Sequence, residues 1–367
     1  MLQVPKYTKN QIDKAGKLII KKDISPETKK QCIEIIDNWR ASHAYPMNSI
    51  SNTLKRKLRK YKDIITAQRL KRLDTILNKL DRYPEMNLSR MQDLGGCRVV
   101  FSSLSDLKSF RDSLVRSKIN HILTNEKNYI KNPKPNTGYR GIHLVYKYSS
   151  SKMSQYNDLL VEIQLRTKLQ HLWATAVETV GAFTHNQLKF EQGDDVWLRF
   201  FKLVSIIFAA EEEKKAFKSI KKIENHFEVV SELIELINKN KLTHKLESFR
   251  IIKPILNSSR PSLTTGYFLL RLNLTDYELK IEWYKETEEG FNEAVKAYTN
   301  LEGKKRKDED VVLIATKDLR TLMRAYPNYF SDISEFNKKL FRFINNQLAR
   351  CEKYIDKKSN EFELKKD

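Results

Sequence analysis

Two short segments in the middle of the chain alternate apolar and polar residues with a period of two, and this rhythm limits the fold more than any other feature. In a β-strand, the apolar positions of VEIQLRT (161–167) and GIHLVYKY (141–148) would point to one face and the polar positions to the other. The polar side chains so placed are Glu162, Gln164, Arg166, His143 and Lys147. A solvent-exposed sheet face would explain either strand alone. Both strands together, with a flanking GYR turn, favour a polar face that carries chemistry.

The other segments indicate an α+β chain. Helical spacing is found at 26–43, with Pro46 after its end, in the basic segment 49–80, and at 168–238 and 333–354. Strand-like segments lie at 97–103, 141–150 and 159–167, and again at 267–274, 279–286 and 311–316. We therefore predict a mixed sheet flanked by helices in residues 1–240 and a second small α+β domain in residues 241–367.

The positive charge of the chain is concentrated in its first half. Residues 1–190 hold 35 Lys and Arg against 16 Asp and Glu, whereas residues 191–367 hold 33 against 30. A basic surface attracts polyphosphate or RNA, although a solvated surface without a partner explains the charge equally well.

The remaining composition bears on compartment. The longest apolar runs fall short of the roughly 20 residues of a membrane span, and the first ten residues lack the apolar core of a signal peptide. The three cysteines are far apart in the sequence, so we expect reduced, buried thiols. We expect a cytoplasmic protein without a membrane partner.

A second carboxylate, Asp93, precedes the glycine pair 95–96, and Arg98 follows. Two carboxylates from separate strands suit Mg²⁺ that is completed by substrate phosphates, and one of them can also accept a proton from a hydroxyl. Neither GxxxxGK[ST] nor GxGxxG occurs, which disfavours a P-loop kinase or a Rossmann enzyme. The pattern favours phosphoryl-type transfer.

Three motifs, RMQDLGGCRVVF, NTGYRGIHLVYKY and VEIQLRTKLQHLWATAVETVG, together resemble the synthetase domain of the RelA/SpoT family, in the same order and with similar separations. The resemblance covers residues 49 to about 210. It implies a nucleotidyltransferase-like fold and transfer of the β,γ-pyrophosphate of ATP to a ribose 3′-hydroxyl, with release of AMP. The HD motif of the family's hydrolase domain is missing from the sequence.

The resemblance also implies residue roles. Asp93 would be a Mg²⁺ ligand, and Glu162 would contact the metal and activate the acceptor hydroxyl. Arg98 would stack on adenine, and Tyr139 would stack on the acceptor base. Residues expected to line the acceptor pocket are His143, Gln164 and His171, and those expected at ATP, besides Arg98, are Lys57, Arg90, Lys147, Arg166 and again His171. The family's Arg-x-Lys pair is missing before the second helix, where the sequence reads YPMNSISNTLKRKL, and Lys57 is assigned to ATP without it.

The length of the chain is similar to that of fused toxic small alarmone synthetases of the CapRel type, in which toxin and antitoxin share one polypeptide. That resemblance implies a pseudo-zinc-finger-like C-terminal domain and an acceptor at the 3′ CCA end of tRNA. It also implies release of inhibition by a phage structural protein. Tyr326 and Tyr329 would then block the nucleotide site, although a tyrosine pair at a helix end can equally well complete a small core. Two alternatives remain, an alarmone synthetase that uses GDP or GTP and an inactive RNA-binding module.

Overall fold

The computed structural model describes residues 3–21, 23–117, 119–184, 188, 194–213, 220–247, 254–256, 265–273, 278–304, 309–326 and 333–363. Its helices are α1 (Lys9–Ile19), α2 (Pro26–Ser42), α3 (Ala44–Leu58), α4 (Leu73–Arg82), α5 (Leu104–Arg116), α6 (Lys168–Phe183), α7 (Asp195–Glu212), α8 (Ile220–Lys239), α9 (Leu242–Glu247), α10 (Glu288–Lys304), α11 (Leu319–Ala325) and α12 (Ser334–Glu363). Its strands are β1 (Ile65–Leu70), β2 (Gly95–Phe101), β3 (Ile122–Asn128), β4 (Ile142–Lys147), β5 (Leu160–Thr167), β6 (Pro254–Leu256), β7 (Gly266–Asn273), β8 (Glu278–Lys285) and β9 (Glu309–Thr316).

The strands of the described ranges form one mixed sheet. Their order is β3-β4-β5-β2-β1-β9-β7-β8-β6. Strand β6 runs parallel to β8, whereas the pairs β1–β2, β4–β5, β7–β8 and β7–β9 are antiparallel. The predicted mixed sheet flanked by helices is confirmed.

The first helices show both a correct and a wrong boundary. Helix α2 begins as predicted, with Pro26 in its first turn and the Ser25 hydroxyl accepting a hydrogen bond from the Thr28 N–H at 3.2 Å. Pro46 does not lie beyond a helix end but in the first turn of α3, which follows α2 after His43. Proline is tolerated there because the first-turn N–H groups have no partner within the helix.

The prediction of one helical segment over residues 49–80 is wrong in its middle. Strand β1 separates α3 from α4 and pairs along its whole length with β2, from Ile65 opposite Val100 to Leu70 opposite Gly95. Its sequence, ITAQRL, lies between Lys- and Arg-rich helices and carries few β-branched residues. Tertiary pairing therefore overrides a weak local preference.

Strands from the C-terminal part of the chain continue the same sheet. Gln68 and Arg69 of β1 pair with Ala315 and Ile314 of β9, and β7, β8 and β6 follow outward. The individual strands were predicted, but as the core of a separate small domain. In the described residues they instead extend the N-terminal sheet, and the pseudo-zinc-finger-like character of this part stays a prediction.

Two compact units make up the chain. The first contains Met1–Lys127, Ile142–Arg166 and Ile252–Tyr326, and the second contains Asn128–Gly141, Thr167–Ile251 and Pro327–Asp367. Both units contain residues from either side of position 240. The division into domains 1–240 and 241–367 therefore stays a prediction from the sequence.

Each unit has its own apolar core. In the first unit, α1, α2 and α4 bury aliphatic and aromatic side chains that include Ile12, Ile36, Trp39, Ile76 and Leu80. In the second unit, α6, α7, α8 and α12 enclose an aromatic cluster that includes Trp173, Trp197, Phe200, Phe201 and Phe336. Burial of these side chains is the main favourable contribution to folding in both units.

A buried ion pair fastens α10 to the N-terminal helices of the first unit. Arg40 of α2 donates from Nη1 to the carboxylate of Glu302, and both side chains are 2 % exposed. The same Nη1 donates to the Tyr298 hydroxyl at 2.8 Å. The other oxygen of Glu302 accepts from the backbone N–H of Leu73, at the start of α4, at 2.6 Å. Residues far apart in the sequence are thus joined inside one unit.

The described cysteines agree with expectation. Cys32 and Cys97 are buried and free. Burial raises the pKa of the Cys97 thiol to about 12, so it stays protonated. Across the described ranges, no helix combines the length and the apolar character that crossing a membrane requires.

Candidate active site

The two alternating strands are neighbours, as the sequence predicts. Strands β4 and β5 pair antiparallel with His143 opposite Gln164 and Val145 opposite Glu162. The apolar positions of β5 are almost fully buried, at 0 to 1 % exposure for Val161, Ile163 and Leu165. The polar positions between them are partly accessible, so a carboxylate, an imidazole and an amide share one face of the sheet.

Both oxygens of Glu162 are held by neighbours on that face. Oε1 lies 2.8 Å from Nδ1 of His143, and Oε2 accepts a hydrogen bond from Nε2 of Gln164 at 2.8 Å. The Glu162 side chain is 13 % exposed, which leaves it reachable but mostly withdrawn from water. A carboxylate fixed in this way needs little reorganisation to accept a proton.

The charge state of Glu162 follows from its surroundings. Burial raises the pKa of Glu162. The charge and hydrogen bond of His143 and the hydrogen bond from Gln164 lower it by more, so the pKa of Glu162 lies below its ordinary value. The negative charge of Asp93 acts in the opposite direction and raises the pKa of Glu162. The two carboxylates are therefore within electrostatic range of each other, and Glu162 is ionised at neutral pH.

Asp93 lies between two lysine side chains that the sequence analysis did not identify. Its oxygens accept from Nζ of Lys71 at 2.6 Å and from Nζ of Lys79 at 2.9 Å. Burial raises the pKa of Asp93, but the two ammonium groups lower it well below the usual range. Lys71 follows β1 directly, and Lys79 projects from α4. Lys71 could have been identified if β1 had been recognised as a strand, because the end of β1 brings Lys71 to the loop that carries Asp93.

Gly95, two residues after Asp93, packs closely against neighbouring helices. A Cβ atom on Gly95 would lie 3.3 Å from Cβ and the carbonyl oxygen of His43 and 3.4 Å from Cβ of Met47. A side chain here would require His43 or Met47 to shift by a few tenths of an ångström. The start of β2 therefore packs closely against the junction of α2 and α3.

Arg98 of β2 is covered by a tyrosine from the C-terminal part of the same unit. Its Cζ atom lies 4.9 Å from the ring centroid of Tyr326, and its Nη1 donates to the carbonyl oxygen of Ala325 at 3.0 Å. Arg69 also faces this ring, with Cζ at 5.7 Å. Tyr326 is 2 % exposed and Arg98 7 %. The guanidinium predicted to stack on adenine therefore lies over the ring of Tyr326, while Tyr329 lies outside the described residues.

The other predicted cations are distributed unevenly. Arg166 is buried and its Nη2 lies 3.4 Å from the side-chain oxygen of Gln164, on the face that holds Glu162. Lys147, at the far end of β4, forms an exposed ion pair with Asp158 at 3.2 Å. Arg90 is exposed in a short 3-10 helix, and Lys57 is half-buried on α3. Their roles at ATP stay predictions.

Tyr139 and His171 belong to the second unit. The Tyr139 ring makes an edge contact with Tyr129, at 5.5 Å between centroids, and a tilted contact with Trp173 of α6, at 6.2 Å. The Lys134 ammonium lies 5.9 Å from the same ring. His171 is buried in the first turn of α6. A half-buried ring fixed by two aromatic neighbours can serve as a stacking platform.

The residues around Glu162 suit a magnesium ion completed by phosphates. Asp93 and Glu162 are both carboxylates with lowered pKa, and Mg²⁺ prefers such oxygen ligands in small number. In the part of the chain that the structure describes, no group of three or more His, Cys, Asp or Glu side chains could hold a metal ion by itself. Substrate phosphates would have to supply the remaining ligands.

Comparison with known proteins finds a family model that matches the segment around Glu162. Residues 68–187 match the family model described as the region found in RelA / SpoT proteins. The match contains the end of β1 and all of β2, β4 and β5, with Asp93, Arg98, His143 and Glu162. Residues 68–187 are therefore similar to the region that RelA and SpoT proteins share.

Two curated relatives come from Bacillus subtilis (strain 168). GTP pyrophosphokinase YjbM is 33 % identical over 109 residues, which are 29 % of this chain and 51 % of that protein. GTP pyrophosphokinase YwaC is 29 % identical over 136 residues, which are 36 % of this chain and 64 % of that protein. The chain thus spans from about half to somewhat under two thirds of the length of these relatives.

Among solved structures, small alarmone synthetase 1 from Bacillus subtilis bound to its product pppGpp is similar at 24 % identity and a TM-score of 0.41. The likeness covers 48 % of this chain and 94 % of that one. Small alarmone synthetase 2 from the same organism is similar at 22 % identity and a TM-score of 0.42, over 48 % of this chain.

Proposed function

We propose that the chain is a pyrophosphotransferase that moves the β,γ-pyrophosphate of ATP to a ribose 3′-hydroxyl. The observation that supports this most directly is the fixed, ionised carboxylate of Glu162, held by His143 and Gln164 within electrostatic range of Asp93. The RelA/SpoT region contains all four residues, and the two curated relatives are named GTP pyrophosphokinases.

In the proposed reaction, Glu162 accepts the proton of the acceptor 3′-hydroxyl. The oxygen attacks the β-phosphorus of ATP, the bond between that phosphorus and the oxygen leading to the α-phosphate breaks, and AMP leaves. Because its pKa is low, Glu162 is a weak base, so the rate depends on alignment and on neutralising phosphate charge. Asp93 and Glu162 would hold Mg²⁺, which would supply that neutralisation when bound. Lys71 and Lys79 are cations beside the same site.

The acceptor we propose is the 3′ CCA end of tRNA. The supporting observation is the strongly basic first half of the chain, since residues 1–190 carry 35 basic and 16 acidic residues. Neutralising a long polyanion requires such a surface more than binding a mononucleotide does. The names of the curated relatives favour a second candidate, GDP or GTP.

We further propose that the chain is an autoinhibited toxin fused to its antitoxin, located in the cytoplasm and released by a phage structural protein. Tyr326 supports this, because its ring covers the guanidinium that would stack on adenine. ATP would have to displace a buried aromatic ring before binding. Release by a partner then needs only to withdraw α11 from Arg98.

The acceptor can be identified by incubating a full-length Tyr326→Ala variant with ATP labelled in the γ-phosphate. Uncharged tRNA and GDP are supplied in separate reactions, and tRNA ending in 3′-deoxyadenosine is the matched control. We expect label in uncharged tRNA and none in the 3′-deoxy form. Label in GDP alone would select the second candidate, and label in neither acceptor would contradict pyrophosphate transfer.

A further inference from the structure

The turn that carries Tyr139 is seated tightly on α7 within the second unit. Gly138 has a φ of +77°, and a Cβ atom there would lie 2.9 Å from Cβ of Ser205. The Ser205 hydroxyl donates to the carbonyl oxygen of Gly138 at 2.5 Å, and the Gly138 N–H donates to the carbonyl oxygen of Lys134 at 2.8 Å. The turn is therefore in close contact with α7 and joined to it by a hydrogen bond.

Arg140, the residue after Tyr139, binds the end of α7. Its side chain is 5 % exposed. Nη1 donates to Glu212 at 2.7 Å, and Nη2 donates to Glu213 at 2.8 Å. The guanidinium is rigid and planar, so two carboxylates on its two ends fix its orientation.

The two carboxylates differ in what else they hold. Glu212 is 6 % exposed, and it also accepts hydrogen bonds from the Thr167 hydroxyl and from Nε2 of Gln170, the latter at 3.1 Å. Thr167 and Gln170 form the capping box that begins α6. Glu213 meets Arg140 from a side chain that is 44 % exposed. Glu212 therefore joins the turn to the start of α6, whereas Glu213 borders the solvent.

This connection bears on Tyr139 because its ring lies between neighbours from different segments. Trp173 belongs to α6, and Tyr129 lies on the chain before the turn. A change in the position of the turn relative to α6 would change the plane of the Tyr139 ring. The offset between stacked rings controls how well a base can stack.

We infer that Glu212 is a positioning residue for acceptor recognition, which sets the orientation of the Tyr139 ring by clamping Arg140 to the capping box of α6. This rests on the proposed function, in which Tyr139 stacks on the acceptor base. The three neighbours of Glu212 all donate hydrogen bonds. An amide in its place would present an N–H group to one of these donors. Glu212→Gln therefore weakens the hydrogen bonds to Arg140, Thr167 and Gln170 while changing the side-chain volume little.

The kinetic experiment uses full-length protein with Tyr326→Ala as the parent. In that background, Glu212→Gln should raise the KM for the acceptor, tRNA or GDP, by about tenfold while kcat changes by less than about threefold. Glu211→Gln is the matched control, because Glu211 is also buried in α7 and accepts from Gln347 of α12 at 2.8 Å. This control should leave the acceptor KM within about twofold of the parent.

Hydrogen exchange gives a readout that does not need turnover. The amides of residues 138–141 should exchange about tenfold faster in Glu212→Gln than in the parent or in Glu211→Gln. If Glu212→Gln does not fold, Arg140→Lys keeps the charge beside Glu212 but loses the fork, and we expect the same two changes.

Three results would overturn the inference: unchanged acceptor KM and unchanged exchange in a folded Glu212→Gln protein, a fall in kcat alone, or an equal rise in KM for Glu211→Gln. A parent without transfer activity would instead contradict the proposed function. The exchange measurement would then still decide whether Glu212 holds the turn.

Discussion

The guanidinium of Arg98 lies over the ring of Tyr326, with Cζ 4.9 Å from the ring centroid. Both residues belong to the same compact unit. Arg98 also donates a hydrogen bond to the carbonyl oxygen of Ala325, which lies 227 positions further along the sequence. A cation on an aromatic face, removed from water, is worth about 2 kcal/mol. The contact is therefore strong enough to compete with a nucleotide base for Arg98.

Removing the Tyr326 ring should activate the protein. We expect Tyr326→Ala, alone or with Tyr329→Ala, to make expression toxic and to tighten ATP binding by about tenfold, because adenine no longer competes with the ring. Growth after induction and equilibrium ATP binding are the measurements. Tyr326→Phe keeps the ring and should stay harmless. Harmless expression of a soluble Tyr326→Ala protein would count against autoinhibition, as would equal toxicity of the two variants.

The ion pair between Arg40 and Glu302 should contribute strongly to stability. Glu302→Gln leaves a buried guanidinium short of its main counter-charge, and breaking a buried pair costs about 3 kcal/mol or more. Urea unfolding followed by circular dichroism measures the loss. Glu286→Gln is the control, because Glu286 forms an exposed pair with Lys55 at 3.5 Å and should shift the free energy of unfolding by less than about 1 kcal/mol. Equal effects of the two substitutions would contradict this assignment.

His43 should make stability depend on pH. Burial lowers the pKa of His43 to about 4, although the contact of Nδ1 with the Trp39 carbonyl at 2.7 Å opposes this. Between about pH 6.5 and pH 4, the unfolded chain binds a proton that the folded chain does not, so stability falls as pH falls. The full loss is about 3 kcal/mol.

The measurement for His43 is the free energy of unfolding of the wild type and of His43→Asn at several pH values. Asparagine keeps an N–H donor but does not titrate in this range. The advantage of the wild type over His43→Asn should shrink between about pH 6.5 and pH 4 and stay constant above this range. A constant difference throughout would show that His43 is not held neutral.

The strands that carry the site could be predicted because their signal is local. Alternation in β4 and β5 placed Glu162, His143 and Gln164 on one face, and the register confirms this arrangement. A period of two leaves no other assignment for a strand with one buried face.

The lysines of Asp93 could not be predicted, because their position depends on a strand with a weak pattern. Strand β1 lies between basic helices and was read as part of one helix. Lys71 and Lys79 were therefore not singled out, whereas β1 and α4 direct them to Asp93. Pairing with β2 and β9, rather than local preference, makes this segment a strand.

Contacts between distant segments also could not be predicted from the sequence. The strands of the C-terminal part were predicted one by one, but no pattern within them indicates that β9 pairs with β1. The partnership of Arg40 with Glu302 joins residues 262 positions apart, and many other carboxylates could have been chosen from the sequence. Such pairings are decided by the packing of whole elements.

The most direct measurement is the rate of pyrophosphate transfer from γ-labelled ATP by Tyr326→Ala with and without Glu162→Gln. The account predicts transfer by the single variant and a loss of at least about a hundredfold in the double variant, with circular dichroism unchanged. Glu126→Gln in the same background is the control, since Glu126 of β3 pairs with Arg111 of α5 and its replacement should keep the activity. Transfer by Tyr326→Ala/Glu162→Gln at the rate of Tyr326→Ala would contradict the assignment of Glu162 as the catalytic carboxylate.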